Sequence, residues 1–366
     1  MTAGDVRVPF LSLRPGEDAA ALRAAVNRVI DSGWFILGPE LEEFESEFAA
    51  AAGAAHAVGV NTGTDAIALL LRGLGIGPGD EVITAPLTAA YSALAVMMAG
   101  ARPVLADIDP ERHTIDPSQV EAAITSRTAA IMPVHLYGQA ADMTALQTIA
   151  GRHGLALVED AAQAHLATCE GRPVGGFGSG AAFSFYPTKN LGALGDAGAI
   201  TTDDAALAAR LKRLRNGGQS TQYQHDEFGV NSRLDELQAA VLRERLARLP
   251  RWTAQRRTLA ARYRERLQGG PVHVPREFDA GHVYHLFVVR TPERDAFRAH
   301  MTACGVQTLV HYPRSLTRQP ALAPESPAEC PAADRAAAEV CSLPLYPSLT
   351  TDEVDLVCDA VLAFRG

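Results

Sequence analysis

Short apolar runs alternate with helical patterns along the first part of the chain. Runs of this kind occupy residues 81–85, 103–106, 129–134 and 155–158, and turn residues follow them. Strands that alternate with helices form parallel βαβ units, and strands that are apolar throughout are buried on both faces of a sheet. The pattern therefore predicts a large α/β domain over residues 1–245, with helices on both faces of a mostly parallel sheet.

Several of the helical patterns begin or end at capping residues. Residues 65–72 carry apolar side chains at helical spacing and end at Gly73, and Asp116 followed by Pro117 is typical of an N-cap and a first-turn proline. A longer helical pattern, rich in Ala, Leu, Arg and Glu, covers residues 234–267. We expect this long pattern to link the large domain to a second one.

The remainder of the chain predicts a smaller α+β domain over residues 246–366. A strand-like run covers residues 285–289, and helical patterns follow near residues 294–304 and 352–364. Residues 321–333 are rich in Pro and Ala and are predicted to form a loop. The chain is therefore interpreted as two domains of unequal size.

Composition and charge argue against several classes of protein. Apolar residues make up 47% and charged residues 20% of the 366 residues, as in ordinary globular proteins. A formal net charge of −9 argues against broad binding to nucleic acid or to an anionic membrane. There is no signal-peptide pattern, residues 89–101 are too short to span a bilayer, and the five cysteines form no CxxC pair. A cytoplasmic location is expected.

Two weaker motifs favour neither a dinucleotide site nor a metal site. Gly73, Gly75 and Gly77 follow a helix and precede a strand, which is the reverse of the order in dinucleotide-binding folds. His282 and His285 lie at the edge of a strand-like run without a second group of ligands, so a hydrogen-bonded or solvent-facing role is favoured. We predict no metal site.

Four segments together indicate a specific chemistry: residues 61–65, 158–163, 183–190 and 229–233. The first joins a strand to a helix whose free backbone N–H groups suit a phosphate, although an ordinary helix cap has the same pattern. The second ends a buried strand with two acids, where ligands bind in parallel sheets, although acids there also cap helices. The third places Lys189 in a Gly-rich, apolar setting that favours a neutral, nucleophilic amine, although a solvent-facing lysine is the alternative. The ordered set, which ends in an Asn-Ser-Arg turn, is more specific than any one segment.

With further motifs along nearly the whole chain, these segments resemble the fold-type-I enzymes that depend on pyridoxal 5′-phosphate (PLP), and within them the sugar aminotransferases of the DegT–StrS group. The shared motifs include Val8-Pro-Phe10, Gly79-Asp-Glu-Val-Ile83, Val134-His-Leu-Tyr-Gly138, Glu159-Asp-Ala-Ala-Gln-Ala-His165, Asn231-Ser-Arg-Leu-Asp-Glu-Leu-Gln238 and His311-Tyr-Pro313. The resemblance implies a PLP-transferase fold, with a large three-layer α/β/α domain and a smaller C-terminal α+β domain.

The resemblance also implies roles for individual residues. Lys189 would form a Schiff base with PLP, Asp160 would pair with the pyridine nitrogen, and Gln163 would lie near the ring hydroxyl. Asn231 would reach the phosphate from the neighbouring subunit, so that the active unit would be a homodimer with a shared site. The other phosphate-binding residues would be Gly63, Thr64 and Ser184, and positions near the substrate opening match Tyr223, His225, Arg233, His311 and Tyr312.

Two positions depart from the family pattern. Ala89 follows Thr88 where the family often has an aromatic residue that stacks on the cofactor ring, and Tyr91 is a candidate replacement. Thr317 stands where the family often has a histidine shortly after the His-Tyr-Pro motif. These departures bear on ring stacking and on the sugar contacts, respectively.

The activity implied by the resemblance is transfer of an amino group from L-glutamate to a nucleotide-diphosphate keto-hexose, with a 3-keto sugar favoured. A 4-keto sugar or a keto-cyclitol is the alternative acceptor. Related dehydratases carry histidine at the position of Lys189, which argues against that activity. A non-catalytic regulator that binds cofactor or sugar is the alternative from another class, and the intact set of acid, lysine and phosphate turn argues against it.

Overall fold

The computed structural model describes residues 6–322 and 329–365. Within these residues the α-helices are α1 (Ala19–Ser32), α2 (Pro39–Ala51), α3 (Gly63–Gly73), α4 (Ala90–Met98), α5 (Pro117–Ala123), α6 (Met143–His153), α7 (Ala205–Leu214), α8 (Glu236–Leu246), α9 (Leu249–Leu267), α10 (Arg294–Ala303), α11 (Pro331–Glu339) and α12 (Thr351–Ala363). The strands are β1 (His56–Val60), β2 (Glu81–Thr84), β3 (Arg102–Leu105), β4 (Thr128–Met132), β5 (Ala156–Asp160), β6 (Thr168–Cys169), β7 (Arg172–Pro173), β8 (Gly180–Ser184), β9 (Gly198–Thr202), β10 (Gln219–Thr221), β11 (Gln224–His225), β12 (Phe287–Arg290) and β13 (Val340–Leu343).

A seven-stranded sheet organises the N-terminal part of the chain. Its strand order is β1-β9-β8-β5-β4-β2-β3. Neighbouring strands from β8 to β3 are parallel, whereas β9 runs antiparallel to both β8 and β1. The four apolar runs correspond to β2, β3, β4 and β5, so the predicted mostly parallel sheet is confirmed.

Adjacent residues of the central strands pack into opposite layers. Val82 and Val158 belong to a buried cluster with residues of α3, α4 and α7, whereas Ile83 and Leu157 belong to a cluster with α2, α6 and α8. Because side chains alternate along a strand, each central strand contributes to both layers. The sheet is thus covered on both faces, which confirms the predicted α/β/α arrangement.

Capping residues behave largely as predicted. The carboxylate of Asp116 accepts a hydrogen bond from the N–H of Ser118 at 2.8 Å and caps α5, in which Pro117 is the first residue. The long helical pattern over residues 234–267 is, however, two helices, because α8 ends at Leu246 and α9 begins at Leu249. Pro250 explains the break, since a proline has no N–H to donate to the carbonyl four residues earlier.

The predicted loop over residues 321–333 is wrong at its C-terminal end. Pro331 begins α11, a position at which the missing N–H of proline costs no hydrogen bond. Residues 323–328 of the predicted loop lie outside the described residues.

A second hydrophobic core is built from C-terminal elements. It contains residues of α9, α10, α12, β12 and β13, and Val8 near the start of the chain joins it. Val8 also forms an isolated parallel bridge with Val306. The division of the chain into residues 1–245 and 246–366 stays a prediction.

Candidate active site

Lys189 lies in the turn that follows β8. Its backbone N–H donates to the carbonyl oxygen of Tyr186 at 2.8 Å. The side chain is half-buried and lines a cavity of ≈ 550 Å³. Burial lowers the pKa of Lys189 from its ordinary value of 10.5 to about 8, although the nearby carboxylate of Asp160 opposes part of that change. Lys189 is therefore still mostly protonated at pH 7, but its neutral, nucleophilic form is far more populated than it would be at its ordinary pKa.

The reactivity of Lys189 in the cofactor-free protein is expected to rise with pH and to reach half its maximum near pH 8. The amine is protonated and unreactive below that pH and neutral above it. The rate of modification by trinitrobenzenesulfonate, followed on the Lys189 peptide by mass spectrometry, measures this. In Asp160→Asn the midpoint should fall further, because a carboxylate that favours the ammonium is removed. A midpoint near 10.5 in both proteins would contradict the expectation.

Three histidines lie close enough to Lys189 to be affected by its charge: His165 and His285 are buried, and His311 is half-buried. Burial, and secondarily the charge of Lys189, lowers the pKa of His165 to about 3 and that of His311 to about 4, and holds the pKa of His285 well below its ordinary value. The imidazoles are therefore neutral near pH 7 and add no cation beside the amine. The Nδ1 atom of buried His285 lies 3.3 Å from the Oδ1 atom of Asn190. The sequence left open whether His285 is hydrogen-bonded or faces solvent, and the structure shows that it is hydrogen-bonded. His165 was not predicted as a site residue, although it ends the Asp-Ala-Ala-Gln-Ala-His motif.

Asp160 ends β5 on the α3 and α4 side of the sheet. It is 3% exposed. Its Oδ1 atom accepts a hydrogen bond from the N–H of Ala162 at 3.1 Å, and its Oδ2 atom accepts one from the hydroxyl of Ser92 at 2.7 Å. Asp160 is thus a fixed carboxylate close enough to Lys189 to affect its pKa. Ser92, at the start of α4, was missed because no local motif connects it to Asp160.

Glu159, the preceding acid, points to the opposite layer and has a different role. Its carboxylate accepts from the N–H groups of Gly175 and Phe177 at 3.0 and 2.9 Å and lies 3.1 Å from His135 Nε2. His135 Nδ1 accepts from the N–H of Ala141, so Nε2 carries the proton that it donates to Glu159. This acid ties together three segments of the fold and does not face Lys189's side of the sheet.

The turn at the N-terminus of α3 is a candidate phosphate site. Thr62 caps the helix through a hydrogen bond that its hydroxyl accepts from the N–H of Asp65 at 3.0 Å. The N–H groups of Gly63 and Thr64 lie in the first turn, where a helix offers them no internal acceptor. A Cβ atom added to Gly63 would lie 2.6 Å from Cβ of Ser184, so the turn and the end of β8 are in contact. The predicted phosphate-binding residues of one chain are therefore adjacent.

Replacing Gly63 with alanine is expected to weaken PLP binding on the order of tenfold or more. The added Cβ would collide with Ser184 and push the first turn of α3 away from β8. Fluorescence titration of the cofactor-free protein with PLP measures the change in Kd. Gly151→Ala in α6 is the matched control, because no atom lies within 4 Å of a Cβ added there. Equal Kd values for the two variants would contradict the phosphate assignment.

Gln163 connects the end of β5 to the C-terminal part of the chain. Its Oε1 atom accepts from the N–H of Tyr137 at 2.7 Å, and its Nε2 atom donates to the hydroxyl of Tyr312 at 3.0 Å. The hydroxyl of Tyr137 donates in turn to the carbonyl oxygen of His311, whose Nδ1 atom lies 2.9 Å from Ser342 Oγ. The structure therefore brings the predicted residues Gln163, His311 and Tyr312 together. Their roles toward cofactor and substrate stay predictions.

Tyr223 and His225 belong to the β10–β11 hairpin and not to this cluster. Tyr223 is 84% exposed. His225 is exposed, and its Nδ1 atom lies 2.7 Å from the carbonyl oxygen of Gly217 in the same segment. Within a single chain the structure does not join these two residues to the Lys189 cluster through any hydrogen bond of the described residues.

Asn231 and Arg233 follow the β10–β11 hairpin in the chain and lie on either side of Ser232. Arg233 donates to Oδ1 of Asn216 at 3.1 Å, and Asn231 is exposed. Ser232, between them, accepts from the N–H of Asn61 at 3.1 Å and donates to Asp65 at 2.7 Å. The Asn231 turn is therefore anchored beside the α3 N-terminus of its own chain. The predicted contact of Asn231 with a phosphate in the neighbouring subunit stays a prediction.

The two departures from the family pattern have different structural settings. Ala89 is the N-cap position of α4, and Tyr91 beside it is 65% exposed. Thr317 donates to the carboxylate of Asp334 at 3.0 Å and lies 2.6 Å from the hydroxyl of Ser315. Thr317 therefore serves a local hydrogen-bond cluster.

No helix in residues 6–322 and 329–365 is both long and apolar enough to cross a membrane. No group of three or more His, Cys, Asp or Glu side chains in the same part of the chain is arranged to hold a metal ion.

Solved structures with a similar fold include a DegT DnrJ EryC1 StrS aminotransferase from Brucella abortus, which matches with a TM-score of 0.90 and 36% identity over 94% of this chain and 95% of that one. Streptomyces venezuelae DesV, solved in complex with a ketimine intermediate, matches with a TM-score of 0.95 and 53% identity over 97% of this chain and 98% of that one. NtdA from Bacillus subtilis, with bound cofactor PMP, matches with a TM-score of 0.91 and 34% identity over 97% of this chain and 84% of that one. Fold and site together define a fold-type-I transferase, as predicted.

Within that class, the chain belongs to the DegT/DnrJ/EryC1/StrS aminotransferase family, whose family model matches residues 17–362. The dTDP-3-amino-3,4,6-trideoxy-alpha-D-glucose transaminase of Streptomyces venezuelae is 53% identical over 364 residues, which cover 97% of this chain and 95% of that protein. The chain is an aminotransferase, and both the predicted family and the predicted class of enzyme are confirmed.

Proposed function

We propose that this aminotransferase uses PLP to move an amino group from L-glutamate to a nucleotide-diphosphate keto-sugar, with a 3-keto sugar favoured. The proposal is supported above all by the convergence of Lys189, Asp160 and the first turn of α3 at the carboxyl ends of β8, β5 and β1. Ligands of open α/β sheets bind outside the carboxyl ends of the strands.

The residues of this site fit PLP. A first helical turn with no room for a side chain at Gly63 suits a phosphate, and Lys189 provides an amine for covalent attachment. Asp160 retains lone pairs beyond its two hydrogen bonds and can accept one from a protonated ring nitrogen. Gln163 would lie near the ring hydroxyl, and Thr64 and Ser184 would complete the phosphate site. Bound there, PLP supplies an electron sink for the carbon that loses its proton.

The protein's own part in the reaction is to hold charge and move one proton. Lys189, with a pKa of about 8, is suited to take a proton from the α-carbon of the donor at neutral pH. It would then deliver that proton to the aldehyde-derived carbon of the cofactor. Asp160 stays fixed by two hydrogen bonds and holds a proton on the ring nitrogen. The neutral histidines around Lys189 leave Asp160 as the charged group that governs it.

The choice of a 3-keto acceptor is supported by likeness to a relative. The relative at 53% identity carries a 3-amino sugar in its name. Thr188, which precedes Lys189, and His311 line a cavity of ≈ 430 Å³. This volume is typical of small-molecule pockets. A 4-keto sugar and a keto-cyclitol remain the alternative acceptors, because the placement of hydrogen bonds decides between them.

A panel of acceptors tests the proposal. The PLP-loaded enzyme is incubated with L-glutamate and, separately, with 3-keto and 4-keto nucleotide sugars and a keto-cyclitol, and the position of the new amine is assigned by NMR. Amination at C3 with formation of 2-oxoglutarate is the expected result. Amination only at C4 or on the cyclitol would overturn the 3-keto preference, and the absence of 2-oxoglutarate with every acceptor would overturn L-glutamate as donor.

We further propose that the enzyme is a homodimer in which Asn231, Tyr223, His225 and Arg233 serve the partner's site. Tyr223 and Phe228 of this segment are 84% and 83% exposed, and the apolar residues Trp34 and Phe35 are also exposed. Contiguous exposed apolar surface favours a protein interface, and Trp34, Phe35 and the exposed Ile36 are consecutive in the chain. This arrangement would give the hairpin a role that it lacks within one chain.

Mixing two inactive subunits tests the shared site. Lys189→Ala removes the amine, and Asn231→Asp places a negative charge beside the phosphate. If Asn231 serves the partner, a hybrid dimer has one site with both changes and one intact site, so activity reappears on mixing. If Asn231 serves its own chain, each site carries one change and mixing restores nothing. Light scattering on the same samples reports whether dimers form.

A further inference from the structure

Two buried hydroxyl groups, those of Ser92 and Thr88, form a hydrogen-bonded chain that ends at Asp160. The hydroxyl of Ser92 donates to Asp160 Oδ2 at 2.7 Å, and the hydroxyl of Thr88 lies 3.1 Å from that of Ser92. Thr88, Ser92 and Asp160 are 4%, 3% and 3% exposed, so water does not compete for these bonds. The three side chains therefore form one buried hydrogen-bonded chain.

The direction of these hydrogen bonds follows from the number of protons. An ionised carboxylate only accepts hydrogen bonds, so the single hydroxyl proton of Ser92 is used on Asp160. Ser92 can then only accept from Thr88, whose proton completes the line. The order Thr88 to Ser92 to Asp160 is therefore fixed for as long as Asp160 carries its negative charge.

The position of α4 adds to the effect. Ser92 is in the first turn of α4, where the helix dipole presents partial positive charge. The other oxygen of Asp160 is held by the N–H of Ala162 at 3.1 Å. Both oxygens are therefore restrained, and the plane of the carboxylate is set by one bond from β5's own turn and one from α4.

We propose that Ser92, supported by Thr88, is a positioning residue that orients Asp160 and sets how strongly it keeps the cofactor's ring nitrogen protonated. This inference rests on the proposed function, since it assumes that Asp160 faces that nitrogen. A hydrogen bond to the charged form of an acid favours that form. Without Ser92 the proton shifts from the ring nitrogen toward Asp160, and the electron sink weakens.

The test uses the full-length protein loaded with PLP that is ¹⁵N-labelled at the ring nitrogen. The ¹⁵N chemical shift is measured in the wild type, in Ser92→Ala, and in the matched pair Thr88→Val and Thr88→Ser. Thr88→Val keeps the shape and removes the hydroxyl, whereas Thr88→Ser keeps the hydroxyl. The cofactor Kd, the melting temperature and the kinetic constants are recorded for each.

The wild type and Thr88→Ser are expected to give the shift of a protonated nitrogen, and Ser92→Ala a shift moved toward the unprotonated form, with Thr88→Val between them. In Ser92→Ala, kcat should fall on the order of 10- to 100-fold while KM for L-glutamate changes far less. If Ser92→Ala lowers only the melting temperature and leaves the ¹⁵N shift and kcat unchanged, the positioning role is overturned. If the wild type binds no PLP, or binds it with an unprotonated nitrogen, the proposed function itself fails at Lys189 or Asp160.

Discussion

Replacing Lys189 with alanine is expected to lower kcat for transamination by at least about 10⁴-fold. One side chain is assigned two tasks, covalent attachment of the cofactor and transfer of the substrate proton, and the variant loses both. No neighbouring group can replace it, because burial lowers the pKa of His165 and His311 to about 3 and about 4 and leaves each a weak base. Formation of 2-oxoglutarate from L-glutamate, measured in single turnover with the PLP-loaded protein, gives the loss directly.

Lys212 is the matched control for this prediction, because the sequence contains only two lysines, Lys189 and Lys212. Lys212 forms an ion pair with Glu45 at 3.1 Å, and its side chain is 52% exposed. Lys212→Ala should therefore keep its activity. Reduction of the PLP-loaded protein with borohydride should label the Lys189 peptide alone in the wild type and in Lys212→Ala. Label on Lys212 or on the N-terminal amine, or near-normal turnover by Lys189→Ala, would refute the assignment of Lys189.

The parts of the fold that sequence predicts best are those in which local pattern and tertiary burial agree. Strands β2, β4 and β5 have adjacent apolar residues at their centres because both faces of the sheet are covered there, so the residues that predict these strands are also the residues that pack in the core. The break between α8 and α9 was not predicted, although Pro250 gives a local reason for it. The antiparallel course of β9 has no such signal, because pairing direction depends on the connection and not on the side chains of the strand.

The same distinction separates the site residues that were predicted from those that were missed. Lys189, Asp160 and the Gly63 turn lie in short motifs whose order in the chain is distinctive. His285 and Ser92 become part of the site only through contacts between distant segments, whereas His165 ends the motif that contains Asp160. The hydrogen bond from Ser92 to Asp160 spans 68 positions, and nothing in the sequence near either residue specifies it.

The two consecutive acids Glu159 and Asp160 show what the strand adds to the motif. Sequence alone left open whether acids at this position bind a ligand or cap a helix. Because side chains alternate along β5, the two carboxylates face opposite layers. Glu159 accepts backbone hydrogen bonds on one side, and Asp160 meets Ser92 and influences Lys189 on the other. Adjacent residues of the same chemical type therefore differ: Glu159 has a structural role, and Asp160 has the proposed active-site role.

Replacing Asp160 with asparagine is expected to lower kcat by about 10³-fold or more with little loss of folded protein. The amide has nearly the same shape: its oxygen can accept from the N–H of Ala162, and its NH2 group can donate to the hydroxyl of Ser92. It carries no negative charge, however, so it cannot hold a proton on the ring nitrogen, and the electron sink is lost. Single-turnover formation of 2-oxoglutarate measures the rate, and the ¹⁵N shift of the labelled ring nitrogen should move to that of an unprotonated pyridine.

Glu159→Gln is the matched change at the neighbouring acid, and we expect the opposite balance of effects. Glu159 is fully buried and satisfies donors from His135, Gly175 and Phe177, so a neutral amide there should lower the free energy of unfolding by about 2–3 kcal/mol. Its folded fraction should retain a protonated ring nitrogen and a kcat within a few-fold of the wild type, since the carboxylate faces away from Lys189. Thermal unfolding and the same single-turnover assay separate the two variants. If Glu159→Gln lost activity as Asp160→Asn does, or if Asp160→Asn kept both its rate and its ¹⁵N shift, the division of roles between the two faces of β5 would be wrong.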